Sequence, residues 1–406
     1  QYLERSEVIP FVIDGSTLEY DLVKAIRRSV NASPQKVALL IGDADKSLAN
    51  DYKTLGDNLR KSGWELAEVT KGDPVPPGTK VLIVVGNADL DDYDVYRIDE
   101  YLARGGAAFI AAKGVAIEAR QNLSAAPLKQ DALLRALSSW GVDLGRSLVL
   151  DTSALTVPFQ EAGPFGGSVI RYVQYPHWII TRPENASAGN PVTAKLAGLD
   201  LFWPSPLTLV DRKGIKSELL VKSTPKAWLQ TSNFLVKPEE AASFRLEAGK
   251  TGGQYGLAAS LAGVFPRAFA LPKLPERAGA PKLTAEPGPA QASKLLVVGA
   301  SDFATDLMTM TNSQFNAAFI AGAVDWLATG DELASIRSRG ARDPRLSKIQ
   351  DPVARNSTIL VAYALNLLFV PGALVVFGLM KRRKRRSLVR LDMVVASAAD
   401  SGEAGK

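Results

Sequence analysis

Residues 80–112 read KVLIVVGNADLDDYDVYRIDEYLARGGAAFIAA. The first run, 80–85, is apolar almost throughout, which suits a strand buried on both faces. After Gly86, Asn87 and Asp89, residues 91–104 carry apolar side chains at helical spacing, and Gly105-Gly106 supplies C-cap chemistry. Residues 107–112 form a second apolar strand. Strand, helix and strand in that order, with neither strand keeping a polar face, predict parallel neighbours covered by helices on both sides.

The alternation extends outward in both directions. Upstream, 36–41 (KVALLI) and a weaker run at 64–70 flank a helical pattern over 52–62. Further back, a strand candidate at 10–13 precedes a helix over 17–30, whose apolar face is Leu18, Leu22, Val23, Ala25, Ile26 and Val30. Downstream, 130–140 reads as a helix and 148–150 as a strand. Residues 1–150 are therefore an α/β core domain with a parallel sheet. From 151 to 270 the pattern changes to short strands rich in Gly and Pro, best seen at 168–174, 206–210, 217–223 and 255–264, which predicts a β-rich second lobe. Residues 271–293, LPKLPERAGAPKLTAEPGPAQAS, have no periodicity and read as a Pro/Ala-rich mobile loop. Residues 294–330 return to the core with the strand KLLVVG and a helix bearing Phe315, Phe319, Val324, Trp326 and Leu327.

A polar juxtamembrane segment, 331–357, leads into 358–380, TILVAYALNLLFVPGALVVFGLM, which holds no charge. As a helix it covers about 34 Å, enough for a hydrocarbon core of about 30 Å. A C-terminal transmembrane helix is the expectation. Lys381, Arg382, Arg383, Lys384, Arg385 and Arg386 follow directly and place the basic tail, 381–406, in the cytoplasm and the body outside it. An exported body demands a membrane helix upstream of Gln1. Asn366, Pro371, Gly372 and Gly378 are the positions where a partner helix would pack. The whole chain carries +6, and the six contiguous basic residues account for a charge of that size. The body is thus near neutral and is not a nucleic-acid surface, while the cluster suits anionic membrane lipid.

There is no cysteine and one histidine, which excludes disulfides, thiolate or His-rich metal sites and a Cys nucleophile. No metal or cofactor is expected. Ligands of open α/β sheets sit outside the carboxyl ends of the strands. Asp43, Asp45, Asn87, Asp89 and Lys113 occupy those ends and are candidate ligand contacts, although the same residue types are ordinary turn chemistry. Gly249-Lys250-Thr251 is not a phosphate loop, because the glycine required five residues earlier is Phe244. His177, in Tyr175-Pro176-His177-Trp178, lacks a G-x-S-x-G partner and is either a ligand contact or a packed residue. Asp43, Asp45, Asp89, Asp91 and Asp92 could approach one another as a hydrolase needs, but spacing gives no separation. No residue is assigned as catalytic.

Taken in order, KVALLIGDADKS, the stretch quoted above, WGVDLGRSLVLD, YPHWIIT, YGLAASLAGVFPRAF, LLVVGASDF, AAFIAGAVDWLA and ELASIRSR ahead of the apolar run resemble the auxiliary component of GldG-type ABC transport systems, the family named for gliding motility. The resemblance spans nearly the whole chain. It implies a flavodoxin-like or amidotransferase-like core held in the bacterial inner membrane by helices at both ends, a periplasmic body, and a permease and a cytoplasmic ATPase as partners. Amidotransferase chemistry does not transfer, since it needs a Cys. Where many members show Gly-His-Gly-Glu this chain has Gly42-Asp43-Ala44-Asp45, so a ligand site does not carry over from relatives there. The leading expectation is a non-enzymatic accessory subunit. An extracytoplasmic glycan- or sugar-binding module, using the strand-end pocket or the Gly-rich second lobe and contacting envelope polysaccharide, and a carboxylate hydrolase, are the alternatives.

Overall fold

The computed structural model describes residues 35–329 apart from 120–122, 163–166, 195, 238–239, 241–242, 246–247, 270–272, 285–288 and 312–314, together with 361, 363, 366, 371–372 and 376–381. The expected strand at 10–13 and helix at 17–30 lie outside the described residues. The chain divides into two compact units, Gln1–Ala341 and Arg342–Lys406.

In the first unit the strands run β1 (Gln35–Ile41), β2 (Trp64–Val69), β3 (Thr79–Val85), β4 (Ala107–Ala111), β5 (Val115–Glu118), β6 (Ser124–Pro127), β7 (Val142–Leu144) and β8 (Leu148–Leu150). They continue with β9 (Ala154–Ala162), β10 (Ser168–Thr181), β11 (Leu199–Phe202), β12 (Leu207–Leu209), β13 (Ile215–Lys222), β14 (Trp228–Gln230), β15 (Gly256–Val264) and β16 (Ala292–Val298). The main helices are α1 (Lys53–Lys61), α2 (Asp92–Ala103), α3 (Ala132–Trp140) and α4 (Phe315–Thr329).

The main sheet has the order β2-β1-β3-β4-β16-β15-β12-β7, with β13 also on β15. From β2 to β16 the neighbours are parallel. Alternate residues enter opposite cores. Val81, Ile83, Val85 and Phe109 join one, with Leu55 and Leu59 of α1 and Phe319 of α4. Leu82, Val84, Ala108 and Ile110 join the other, with Val95, Ile98 and Leu102 of α2 and Leu137 and Trp140 of α3. Both faces of each central strand are therefore dry, which is why those strands carry no polar side. Each of the Val, Leu, Ile and Phe side chains among them contributes about 1.5–3 kcal/mol by leaving water.

The sheet is mixed rather than parallel throughout. β15 runs antiparallel to β16, and β12 and β13 antiparallel to β15. No helix is described between β15 and β16, and without a crossover element consecutive strands pair antiparallel. Strands expected in a second lobe are thereby divided. β12, β13 and β15 extend the main sheet, whereas β9, β10 and β11 make a separate three-stranded antiparallel sheet. The run at 148–150, expected with the core strands, pairs instead with β14.

The helix of the opening stretch has a reciprocal cap. Asp91 accepts from the amides of Tyr93 and Asp94 at 2.9 and 3.1 Å, while the Asp94 carboxylate accepts from the Asp91 amide at 3.2 Å. The described part of the expected mobile loop is docked on this helix. Arg277 pairs with Asp91 and Asp94 and lies 4.8 Å over the Tyr93 ring. The Tyr93 and Tyr96 hydroxyls donate to the carbonyls of Pro281 and Thr284 at 2.9 and 2.6 Å, and Leu283 is buried. Composition signalled no core here, but residues 273–284 are fixed by the Arg277 pairs and by a small apolar cluster in which Leu283, Leu274 and Ala280 pack on Tyr93 and Tyr96.

In the second unit the described residues between 361 and 381, Asn366, Pro371, Gly372 and Gly378 among them, are helical and exposed. A Cβ added at Gly372 or Gly378 meets nothing within 4 Å. Among the described residues no helix is long and apolar enough to cross a membrane. The polar segment 331–357, most of the span 358–380 and the basic residues 382–386 lie outside the described residues.

Candidate functional site

The carboxyl ends of β1, β3, β4 and β16 converge on one carboxylate. Asp43, just past β1, is 1% exposed. Its Oδ1 accepts from the amides of Asn87 and Ala88, past β3, at 3.0 and 2.9 Å. Its Oδ2 pairs with Lys113 Nζ, past β4, at 2.6 Å and with Lys46 Nζ at 3.4 Å. Lys46 also reaches Asp302, past β16, at 2.5 Å. The Asn87 side chain completes the frame, accepting from the Lys113 amide at 2.9 Å and donating to the Lys113 carbonyl at 3.1 Å.

Glycine makes this closeness possible. Gly86 has φ +79°, and a Cβ there would stand 2.5–2.7 Å from the Asp43 carboxyl atoms. A Cβ on Gly42 would meet the Gly86 carbonyl oxygen at 2.3 Å. The two strand ends touch backbone to backbone, with the carboxylate between them.

Two carboxylates and two ammonium groups neutralise one another. Burial would push the Asp43 carboxyl up, but Lys113 and Lys46 and the donated hydrogen bonds hold it below the ordinary carboxylate range. Burial likewise opposes the charge on Lys46, and the carboxylates of Asp302 and Asp43 overcome it, so its pKa is raised. Tyr52 stands in the same field. Burial raises its pKa and keeps it a neutral phenol, and its buried hydroxyl has no hydrogen-bond partner among the described residues. The group ties four strand ends together and has no charge left over for a ligand.

Of the residues expected at the strand ends, Asp43, Asn87 and Lys113 are brought together. Asp45 and Asp89 are exposed, and Asp89 accepts from the Ala44 amide at 2.7 Å. Asp91 and Asp92 are engaged by Arg277 and by Arg135 at 2.5 Å. His177 is elsewhere: fully buried on β10, with its ring 4.8 Å from Tyr175 and 4.7 Å from Phe244, and Nε2 3.4 Å from Gln230 Oε1. Burial pushes its pKa down to about 4. An imidazole in that setting is a neutral core group with no access to a ligand. Lys46, Tyr52 and Asp302 were not legible as members of the strand-end group, since Tyr52 lies beyond the loop that follows β1 and Asp302 is 256 residues from Lys46 along the chain. Among the described residues no group of three or more His, Cys, Asp or Glu could hold a metal ion.

A family model described as "ABC-type uncharacterized transport system" matches residues 34–326. An uncharacterized protein of Borreliella burgdorferi is 22% identical over 393 residues, covering 95% of this chain and 72% of its own. Among solved structures, a ThuA-like protein from Bacteroides uniformis aligns at TM-score 0.35 and 10% identity, over 72% of this chain and 91% of its own. Alpha-L-fucosidase isoenzyme 2 from Paenibacillus thiaminolyticus aligns at TM-score 0.31 and 13% identity, over 77% of this chain and 36% of its own. At those scores neither structural likeness bears on activity.

Proposed function

The chain belongs to the family of ABC-type transport-system auxiliary components, and from that premise we propose that it is a non-catalytic accessory subunit that assembles with a permease and a separate ATPase. The observation that carries this reading is the extent of the family match, which runs through the whole described α/β body from residue 34 to 326. The finer parts of the proposal are the GldG subtype, an extracytoplasmic body, and anchoring in the bacterial inner membrane through 358–380 with the basic tail inside. The uncharged run and the six basic residues behind it support the anchor.

The chemistry of the strand ends supports a non-catalytic role. A general acid or base needs a proton it can exchange with substrate, and Asp43 is enclosed by its own counter-ions. Of the five carboxylates weighed for a hydrolase, Asp43, Asp89, Asp91 and Asp92 each answer to a structural partner and Asp45 is exposed, which weighs against a catalytic pair among them. Nucleotide hydrolysis then falls to another chain. Native electrophoresis of membranes tests the assembly. The chain is expected to migrate in one complex with an ATPase and a multispan permease, and migration alone in native membranes would overturn the reading.

A further inference from the structure

A second polar constellation lies away from the strand ends. A cleft of about 480 Å³ is lined by residues of three separate segments: Thr152 and Ser153; Arg182, Glu184 and Asn185; and Thr224 to Lys226. That volume is within the range of small-ligand sites, about 300–1,000 Å³.

The floor is built before any ligand arrives. Asp151 is fully buried, and its carboxylate accepts from the Ser153 amide at 3.0 Å, the Thr224 amide at 2.7 Å and the Thr224 hydroxyl at 2.6 Å. The Ser153 hydroxyl donates to the Ile180 carbonyl at 2.8 Å. Both hydroxyl protons therefore point into the protein. One wall is turned back on itself: the Arg182 amide donates to Asn185 Oδ1 at 3.0 Å and the Asn185 amide to the Arg182 carbonyl at 2.9 Å.

The rim is unlike the strand-end group. Arg182 and Lys226 are exposed and have no ion-pair partner among the described residues, and Glu184 beside them has none either. The three charges are close enough to line one cleft yet do not neutralise one another. Two cations over a rigid floor favour an anionic ligand group, with the guanidinium able to grip a carboxylate or phosphate through two parallel bonds. The lone carboxylate, Glu184, can accept from ligand hydroxyls.

We propose that this cleft binds a small polyhydroxylated anion, a sugar bearing a carboxylate or a phosphate, with Arg182 and Lys226 on the anionic group and Glu184 on the hydroxyls. The site stands on its own geometry and does not rest on assembly with a transporter. Titration of the purified full-length chain with glucuronate and with glucose 6-phosphate, followed by calorimetry, tests it, with glucose and inorganic phosphate as controls. Saturable binding of at least one acidic sugar is expected, weakened at least tenfold by Arg182→Ala and by Lys226→Ala. Which of the two sugars binds identifies the carboxylate or the phosphate as the preferred group. Glucose should not bind detectably, and Glu184→Ala should weaken the acidic sugar but not inorganic phosphate. Both cation variants lie on the surface and should keep the wild-type unfolding midpoint. No saturable binding of either sugar, binding that survives both cation substitutions, or inorganic phosphate binding as tightly as the sugars would overturn the assignment.

Discussion

The strand-end group and the cleft at Arg182 and Lys226 are both polar clusters gathered from distant segments, yet they are built to opposite ends. At the strand ends each charge is buried or, at Lys46, half-buried and faces its opposite, with Asp43 between Lys113 and Lys46 and with Asp302 closing the set. In the cleft the buried carboxylate, Asp151, spends its hydrogen bonds on orienting neighbours while the cations above stay exposed and, among the described residues, without an ion-pair partner. Position at the carboxyl ends of parallel strands does not by itself make a binding site. What decides is whether charge remains after the protein has satisfied its own groups.

The contrast predicts opposite costs. Asp43→Ala would leave Lys113 buried without its closest partner and two amides without an acceptor, a loss of about 3–5 kcal/mol in denaturant unfolding. A variant within about 1 kcal/mol of wild type would show that the network is not the latch described. Gly86→Ala combines a left-handed backbone with a clash against the same carboxyl, and about 1–3 kcal/mol should go.

Acid should act in two separate windows. The single histidine has a folded pKa of about 4 against an ordinary value of about 6.5, so the unfolded chain takes up the proton first. Stability should fall by about 3 kcal/mol in total as pH drops across that interval, then level off as the folded form protonates too. His177→Gln should flatten this slope, and a variant that keeps it would assign it to other groups. Asp43 has a depressed folded pKa, so its contribution is present above the unfolded carboxylate value of about 3.9 and is lost only as pH falls below that toward the folded value.

Smaller effects belong to the surface. Arg277→Ala should release 273–284 from the capped end of α2, lowering stability by about 1 kcal/mol and opening the segment to limited proteolysis. At the cleft, Arg182→Ala and Lys226→Ala should change stability by less than about 0.5 kcal/mol while removing ligand.

These differences also mark what could be read from residues alone. β1, β3, β4 and β16 were legible because a strand buried on both faces must be apolar along its length. The βαβ order around α2 then gave the parallel centre. β15 reads as a strand equally well, but nothing local says that it joins the main sheet antiparallel, because that choice rests on pairing with β16 across a long connection. Short strands such as β6 and β7 carry too few residues to show a period. Asp43, Asn87 and Lys113 were visible as strand-end groups, whereas their neutralisation by Lys46 and Asp302 is a tertiary fact. The cleft left only turn chemistry in the sequence, in Asp151-Thr152-Ser153 and in Thr224-Pro225-Lys226, and its three segments meet only in the fold.

The central claim is that this body serves a transport complex, and its partners are the most direct witness. The measurement is the amount of ATPase and permease retained when the tagged full-length chain is isolated from native membranes, compared with Gly372→Arg and Gly378→Arg. The wild type is predicted to retain both, and each substitution to lose both while the body keeps its unfolding midpoint. A wild-type chain that elutes without either partner would contradict the account.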